Sequence, residues 1–308
     1  MARRKKGNPV HGWLILDKPL GMTSTQAVGK VKWLFDAQKA GHAGTLDPLA
    51  TGILPIALGE ATKTVSFAVD GEKAYRFSVR WGVETNTDDA EGTPTATSDQ
   101  RPTIADIEHV IPRFIGEIEQ VPPQFSAIKV EGNRAYDLAR GGEAVPLEAR
   151  PVIIEHLRIV EQPDAATTMF EAECGKGTYV RAIARDMGRA LGCCGHVIAL
   201  RRTRVGPFGE DDAVALADLV AAHDDAARAG ELTSALLPVE TALDGLLCLN
   251  VSSSDAARLA RGQSVILRGR VAPVVSGAAY AVCKGQLVAM GEIDKGELRP
   301  TRVFNLGG

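Results

Sequence analysis

The 308-residue chain is poor in the features that would tie it to a membrane, an oxidising compartment or a metal. Its five cysteines, Cys174, Cys193, Cys194, Cys248 and Cys283, are odd in number and lack framework spacing. That excludes a disulfide scaffold and leads us to expect a reducing, cytoplasmic setting. Apolar runs such as WLIL at 13–16 and GILPIALG at 52–59 fall far short of the roughly 20 residues of a membrane helix, so neither a span nor a secretory leader is expected. The six histidines are scattered, without an HExxH pair. Cys193, Cys194 and His196 offer two thiols and one imidazole but no second cluster, which suits a buried helix end better than a metal. The lysine and hydroxyl of a phosphate loop are missing, as is GxGxxG. No metal, nucleotide or other cofactor is expected.

What is present is an ordinary globular composition, 45% hydrophobic and 24% charged. A chain of this length buries roughly 75% of its extended surface and needs no staples. The net charge of −3 conceals strong polarity along the chain. Residues 1–63 carry nine Lys/Arg against four Asp/Glu, and residues 174–206 carry seven against one. Residues 83–120 hold nine acids against two arginines, and residues 207–247 nine against one. If the two basic stretches share a face, the molecule presents a positive surface to a polyanion and keeps an acidic back. Ordinary solvated charge explains the same pattern, and charge alone leaves the two readings even.

Periodicity outlines the elements. GWLIL at 12–16 reads as a short buried strand, followed by a helix through TQAVGKVKWLFDA that Thr23 or Ser24 can cap. In AYRFSVRWG at 74–82, Tyr75, Phe77, Val79 and Trp81 alternate with Arg76, Ser78 and Arg80, as in a half-buried strand. Residues 86–99 read as an acidic loop, IADIEHVIPRFIG as a helix interrupted near Pro112, and 151–161 and 167–175 as neighbouring strands. Thr178 to Leu191 is a predicted helix ended by Gly192. Alanine-rich helices are predicted over 213–223 and about 232–243. From about Leu247 short strands and glycine turns mark a small β-rich unit.

One carboxylate stands apart. In GHAGTLDPLATGILP at 41–55, Asp47 has no charged neighbour and sits among small and apolar residues. Pro48 restricts its backbone, and the flanking glycines allow close approach to a ligand, which suits attack on a flat electrophile. Equally, Asp followed by Pro is a common start to a helix, with Asp47 as its cap. The residues by themselves favour the cap.

GHAGTLDPLATGILPIALGEATK at 41–63 resembles the defining motif of the TruB family of tRNA pseudouridine synthases, with Asp47 at the catalytic position. LDKPLGMTS at 16–24, VPPQFSAIKVEGNRAYDLARGG at 121–142, KGTYVRAIARDMG at 176–188 and GHVIALRRTRVGPF at 195–208 resemble further family segments in the expected order. The resemblance implies a mixed α/β (α+β) catalytic domain over 1–245 on a largely antiparallel sheet. It also implies an RNA-contacting inserted lobe near 83–150 and a PUA-like domain over 246–308. It implies isomerisation of the uridine at position 55 of the tRNA T-loop: uracil leaves C1′ through N1 and rejoins through C5, with no cofactor. Asp47 would be the nucleophile or promote detachment, Tyr75 would take the C5 proton, and Arg181 would pair with Asp47. His42 would fill the space of the flipped base, Tyr179 would stack on the uracil, and Leu200 would close the apolar side. Lys63 would join the substrate contacts, while Arg3, Arg4, Lys5, Lys6, Lys129, Arg201, Arg202 and Arg204 would grip phosphates. The expected partner is the T-arm stem-loop and the expected state a monomer. A guide-dependent enzyme acting on ribosomal RNA and a non-catalytic tRNA-folding chaperone are the alternatives.

Overall fold

The computed structural model describes residues 7–126, 129–130, 133–134, 146–267 and 276–307. Its strands in chain order begin with β1 (Gly12–Lys18), β2 (Ala40–His42), β3 (Ala50–Leu58) and β4 (Lys73–Trp81). Then come the hairpin β5 (Val83–Thr85) and β6 (Pro94–Thr97), β7 (Gly116–Gln120), and a short ladder of β8 (Lys129–Val130) and β9 (Asn133–Arg134). β10 (Arg150–Asp164), β11 (Thr167–Cys174), β12 (Gly195–Val205) and β13 (Val214–Ala215) follow. A nine-stranded sheet runs β13-β1-β3-β12-β4-β11-β10-β7, with β2 also on β3. Only β1/β13 and β3/β12 pair in parallel, so the sheet is mixed and largely antiparallel. The strands Leu247–Asn250, Val265–Ile266, Gly277–Cys283, Gln286–Asp294 and Glu297–Val303 form a second sheet.

β4 lies centrally, between β12 and β11. Its predicted alternation holds in part: Phe77, Val79 and Trp81 are buried and Arg76 and Arg80 exposed, but Ser78 is buried too, because a central strand is covered on both faces. Phe77 stacks on Phe170 with centroids 5.4 Å apart, and Trp81 meets the edge of the same ring at 6.2 Å while donating to Thr168 Oγ1 at 2.9 Å. The buried indole N–H thus keeps a partner, as a core tryptophan requires. Thr23 caps the helix Ser24–Leu34 with a capping box to Gln26, and Ala27, Val31 and Leu34 turn inward. A second core cluster joins Trp13, Ile53 and Phe208 to Leu287, Met290 and Phe304 of the C-terminal segment.

Three segments depart from the sequence reading. Residues 50–58 of the Asp47 motif form β3, deeply buried between β1 and β12, so the loop is confined to 43–49. The acidic stretch 86–99 is partly taken up by β6, which pairs with β5 just before it, and buries Asp88 and Asp89. The predicted helix 232–243 breaks at Pro238 into the helix Ala229–Ser234 and a 3-10 turn Val239–Leu243, because proline cannot donate within a helix. The helix Val180–Ala190 forms as expected, and Gly192 follows it at φ 68°. Gly188 within it is required: an added Cβ would lie 2.4 Å from the backbone of Cys194.

Candidate active site

Asp47 occupies the connection between β2 and β3. The backbone N–H of Ala50 donates to Asp47 O at 3.0 Å, and the chain then enters a strand rather than a helix. The helix-cap reading is therefore excluded. The loop is tied down from outside: Ser24 Oγ accepts from Leu46 N at 2.8 Å and donates to Leu46 O at 2.9 Å, and Gly21 N donates to Pro48 O at 2.8 Å. Two segments of the motif-bearing sequence thus fix one carboxylate.

That carboxylate meets Arg181, from the first turn of the helix Val180–Ala190. Nη2 lies 2.9 Å from Asp47 Oδ2, and Nη1 lies 3.3 Å from Asp89 Oδ2. The same guanidinium donates to Thr87 O at 2.9 Å and Phe125 O at 3.0 Å. The Arg181 side chain is 6% exposed and that of Asp47 36%, so a buried cation presents an accessible carboxylate. One turn on, buried Arg185 pairs with Asp88 at 2.9 Å and with Asp186. Burial pushes the Asp88 carboxyl up to about 6, against the pull of Arg185 and Arg181. Nearby, the buried Lys18 ammonium donates to Pro19 O at 2.9 Å and Met22 O at 2.7 Å. Desolvation lowers it to about 8, while Asp47 pulls it back up.

Asp47 and Arg181 line a cleft of about 260 Å³ together with Tyr75, Tyr179, Leu200, Arg202, Lys73 and Lys176. Its size suits one nucleotide rather than a larger ligand, being just under the roughly 300–1,000 Å³ typical of sites for drug-sized molecules. Gln120 clamps Tyr179 at its backbone, accepting from its N–H at 2.8 Å and donating to its carbonyl at 3.2 Å. Burial pushes the Tyr75 hydroxyl above its ordinary value, while the Arg202 guanidinium, its hydrogen-bond partner, draws it back down. Arg202 is 1% exposed and donates to Ile53 O at 2.8 Å, Gly44 O at 3.1 Å and Thr45 O at 3.3 Å. It stitches β12 to the Asp47 loop, which corrects the expectation that it grips a phosphate: that group is sealed from solvent.

Asp47, Tyr75, Arg181, Tyr179 and Leu200 therefore converge on one cleft, and Arg202 lines it from behind. His42 lies beside it on β2, outside the lining, with buried Nδ1 unpartnered and its pKa lowered by burial. Lys63 is not brought there; it pairs with Glu60 and donates to Val303 O at 2.7 Å, joining the C-terminal segment to the main sheet. Arg201 is held two-pronged by Asp17 and also by Glu210, and Arg204 pairs with Glu72 and Glu173. Both are engaged in partly exposed ion pairs, where phosphate contacts were expected. The Lys129 side chain and Arg3, Arg4, Lys5 and Lys6 lie outside the described residues. Sequence reasoning missed Lys18, Lys73, Asp88 and Asp89; the first sits inside LDKPLGMTS, and the two aspartates were hidden in a stretch that reads as solvated loop. Among the described residues, no group of three His, Cys, Asp or Glu could hold a metal, and no helix is long and apolar enough to cross a membrane.

Residues 32–180 match the model for the N-terminal domain of the TruB family pseudouridylate synthases, and residues 181–244 that for the tRNA pseudouridylate synthase B C-terminal domain. The chain is thus a protein of the pseudouridylate synthase class. The chain is 62% identical over 306 residues to the tRNA pseudouridine synthase B of Rhodopseudomonas palustris, covering 99% of this chain and 84% of the relative. It is 56% identical over 305 residues to that of Rhizobium etli, covering 98% of each. The chain belongs to the TruB family. Among solved structures, a chain of a Cbf5-Nop10-Gar1 complex is 27% identical with a TM-score of 0.72, covering 96% of this chain and 84% of that one. A chain of an H/ACA RNP bound to a substrate RNA containing 2'-deoxyuridine reaches a TM-score of 0.75 over 99% of this chain and 92% of that one; at 24% identity it attests the fold alone.

Proposed function

We propose that this tRNA pseudouridine synthase acts on the uridine at position 55 of the T-loop, breaking its C1′–N1 bond and rejoining uracil through C5. The observation that carries the reading is the Asp47–Arg181 pair at 2.9 Å on the wall of a nucleotide-sized cleft. Arg181 orients and offsets the Asp47 carboxylate, which attacks the nucleotide or promotes detachment of its base. Tyr179 and Leu200 supply the stacking and apolar surfaces for the detached ring. N1 gains a proton and C5 loses one, so the product is an isomer. Tyr75 takes the C5 proton; a phenol acts as a base only with positive charge beside it, and the buried Arg202 guanidinium offsets part of the burial that pushes the Tyr75 hydroxyl up.

The uridine must be turned out of its stack, at a cost of a few kcal/mol, and His42 beside the catalytic loop fills the space it leaves. The enzyme recognises the T-arm stem-loop by shape, as is usual for structured RNA. We place it in the cytoplasm as a monomer, with a catalytic unit to about residue 245 and a PUA-like unit beyond. Identity of 62% to a tRNA pseudouridine synthase B, against 27% to the Cbf5 complex chain, supports direct action on tRNA over a guide-dependent role.

The test is tritium release from a T-arm transcript labelled at C5 of its uridines. The wild type should release label from the T-loop uridine, and Asp47→Asn should reduce release to background while still binding. Binding without release by either protein would overturn this reading and leave the tRNA-folding chaperone or the guide-dependent enzyme.

A further inference from the structure

The wall of the cleft away from Asp47 carries positive charge that the isomerisation does not use. It is lined by Val69, Lys73, Lys176, Gly177 and Thr178. The two cations of the Asp47 side are already committed, Arg181 to two carboxylates and Arg202 to three carbonyls and Tyr75. Lys73 and Lys176 are different. Lys73 is 7% exposed and donates to Gly71 O at 2.6 Å and to Val69 O, which anchors its ammonium at the end of the helix Val65–Asp70. Burial is the main influence on it, with Arg202 and Lys176 opposing its charge and Asp70 favouring it. Among the described residues, Lys176 bonds only to Asp70, at 2.9 Å, in a pair 69% and 59% exposed. Such a surface pair is worth little and is readily exchanged for another anion.

The backbone there is open as well. Gly177 stands at φ 86° with no atom within 4 Å of where a Cβ would be. It leaves a shelf between Lys176 and Thr178 at the start of the helix Val180–Ala190, whose N-cap Tyr179 makes no side-chain cap bond. Two ammoniums against the single carboxylate of Asp70 give this wall an excess positive charge. A uracil ring offers it only neutral carbonyls, whereas a phosphodiester offers a full negative charge. A nucleotide turned into a cleft of this size brings a flanking phosphate with it.

We propose that Lys176 and Lys73, with the Gly177 shelf, seat a phosphate flanking the flipped uridine, a deepening that rests on the function proposed above. Lys176 releases Asp70 and closes on the phosphate, while Lys73 remains fixed and supplies field. The seat positions the nucleotide in the cleft and adds nothing to base identity, since phosphates carry no sequence information.

The experiment is a binding cycle on the T-arm stem-loop, read as Kd by fluorescence anisotropy. Each phosphate flanking the target is replaced in turn by a neutral methylphosphonate, with a 2′-deoxy sugar beside it and a matching deoxy control. Lys176→Met should weaken binding several-fold and lower the slope of log Kd against log salt by about one. One methylphosphonate should weaken the wild type by a similar factor, and variant and methylphosphonate together should cost no more than either alone. Lys176→Arg should restore the wild-type Kd. Effects that multiply independently at both positions, or a Lys176→Met protein with unchanged Kd and slope, would overturn the seat. Tritium release from the unmodified T-arm, run in parallel, tests the isomerase itself. Its absence with an intact cycle would sink the reaction and spare the seat; the reverse result would do the opposite.

Discussion

The basic stretch 174–206 and the C-terminal unit both carry many cations, seven in the first and eight between 247 and 303, and treat them in opposite ways. In the first, Arg181 pairs with Asp47 and Asp89, Arg185 with Asp88, Arg189 with Glu84, Arg201 with Asp17 and Glu210, and Arg204 with Glu72 and Glu173. Arg202 is sealed among carbonyls, and Lys176 and Arg189 stay largely exposed, against Asp70 and Glu84. In the second, among the described residues, Arg258, Arg261, Lys284 and Lys295 are exposed and enter no ion pair. Charge counted along a chain is therefore not charge available to a polyanion. The acidic stretch 83–120 is no passive back: Glu84, Asp88 and Asp89 reach the helix Val180–Ala190 and consume its arginines. What that helix supplies is a rigid, desolvated mount for one carboxylate.

The contrast can be broken most forcefully at Arg181. Arg181→Met leaves Asp47 and Asp89 without their shared cation. Urea denaturation should show a loss of about 3–5 kcal/mol, the range for a broken buried pair, and tritium release should vanish. Arg181→Lys should recover more of the stability than of the activity, because a point charge cannot bridge two carboxylates and two carbonyls at once.

A pH titration of stability sharpens the same point. Burial lowers Lys18 and Lys73 to about 8, from 10.5. From pH 8 upward the unfolded chain therefore binds more protons at these two sites, and stability should rise with pH. Burial pushes Cys174 up to about 12 and Cys193 to about 11, from 9.0. Above pH 9 the folded state holds those protons more tightly and the cysteines oppose the trend. The gain should be visible between pH 8 and 9 as a rising urea midpoint, and Lys73→Met should remove part of it. A midpoint that falls across this window in the wild type would contradict buried, desolvated lysines.

Smaller effects belong to the surface. Lys63→Met breaks the contact to Glu60 and to Val303 O and should cost about 1 kcal/mol in denaturant, as for one hydrogen bond, with KM for the T-arm unchanged. Least of all, Arg258→Gln combined with Arg261→Gln should move stability by under about 0.5 kcal/mol. Arg185→Gln, by contrast, should be severely destabilised in the same assay.

Much of the frame was legible because it depends on near neighbours. The alternation of Tyr75, Phe77, Val79 and Trp81 announced β4, and Thr23 announced the start of the helix Ser24–Leu34. Some of the site was legible too and went unread. Lys73 is two residues from Tyr75, and Arg202 two from Leu200, so strand alternation alone places each on the cleft side of its strand. Arg201 and Arg202 are adjacent and chemically identical, and the pleat gives them two roles: Arg201 pairs with Asp17 and Glu210, and Arg202 is sealed against the Asp47 loop.

By itself the sequence determined the strands, the capped helices, the family to which the chain belongs and the presence of a carboxylate without local partners. Those follow from periodicities of two and 3.6 and from turn chemistry, which act over a few residues. Only the tertiary structure decided that Asp47 caps no helix, that Arg181 is shared with Asp89, and that Arg202 backs Tyr75. These depend on groups 92 to 134 residues apart in the chain, brought together by the order of strands in the sheet. The energies that decide them come from burial in a low-dielectric interior, which no short stretch of chain possesses.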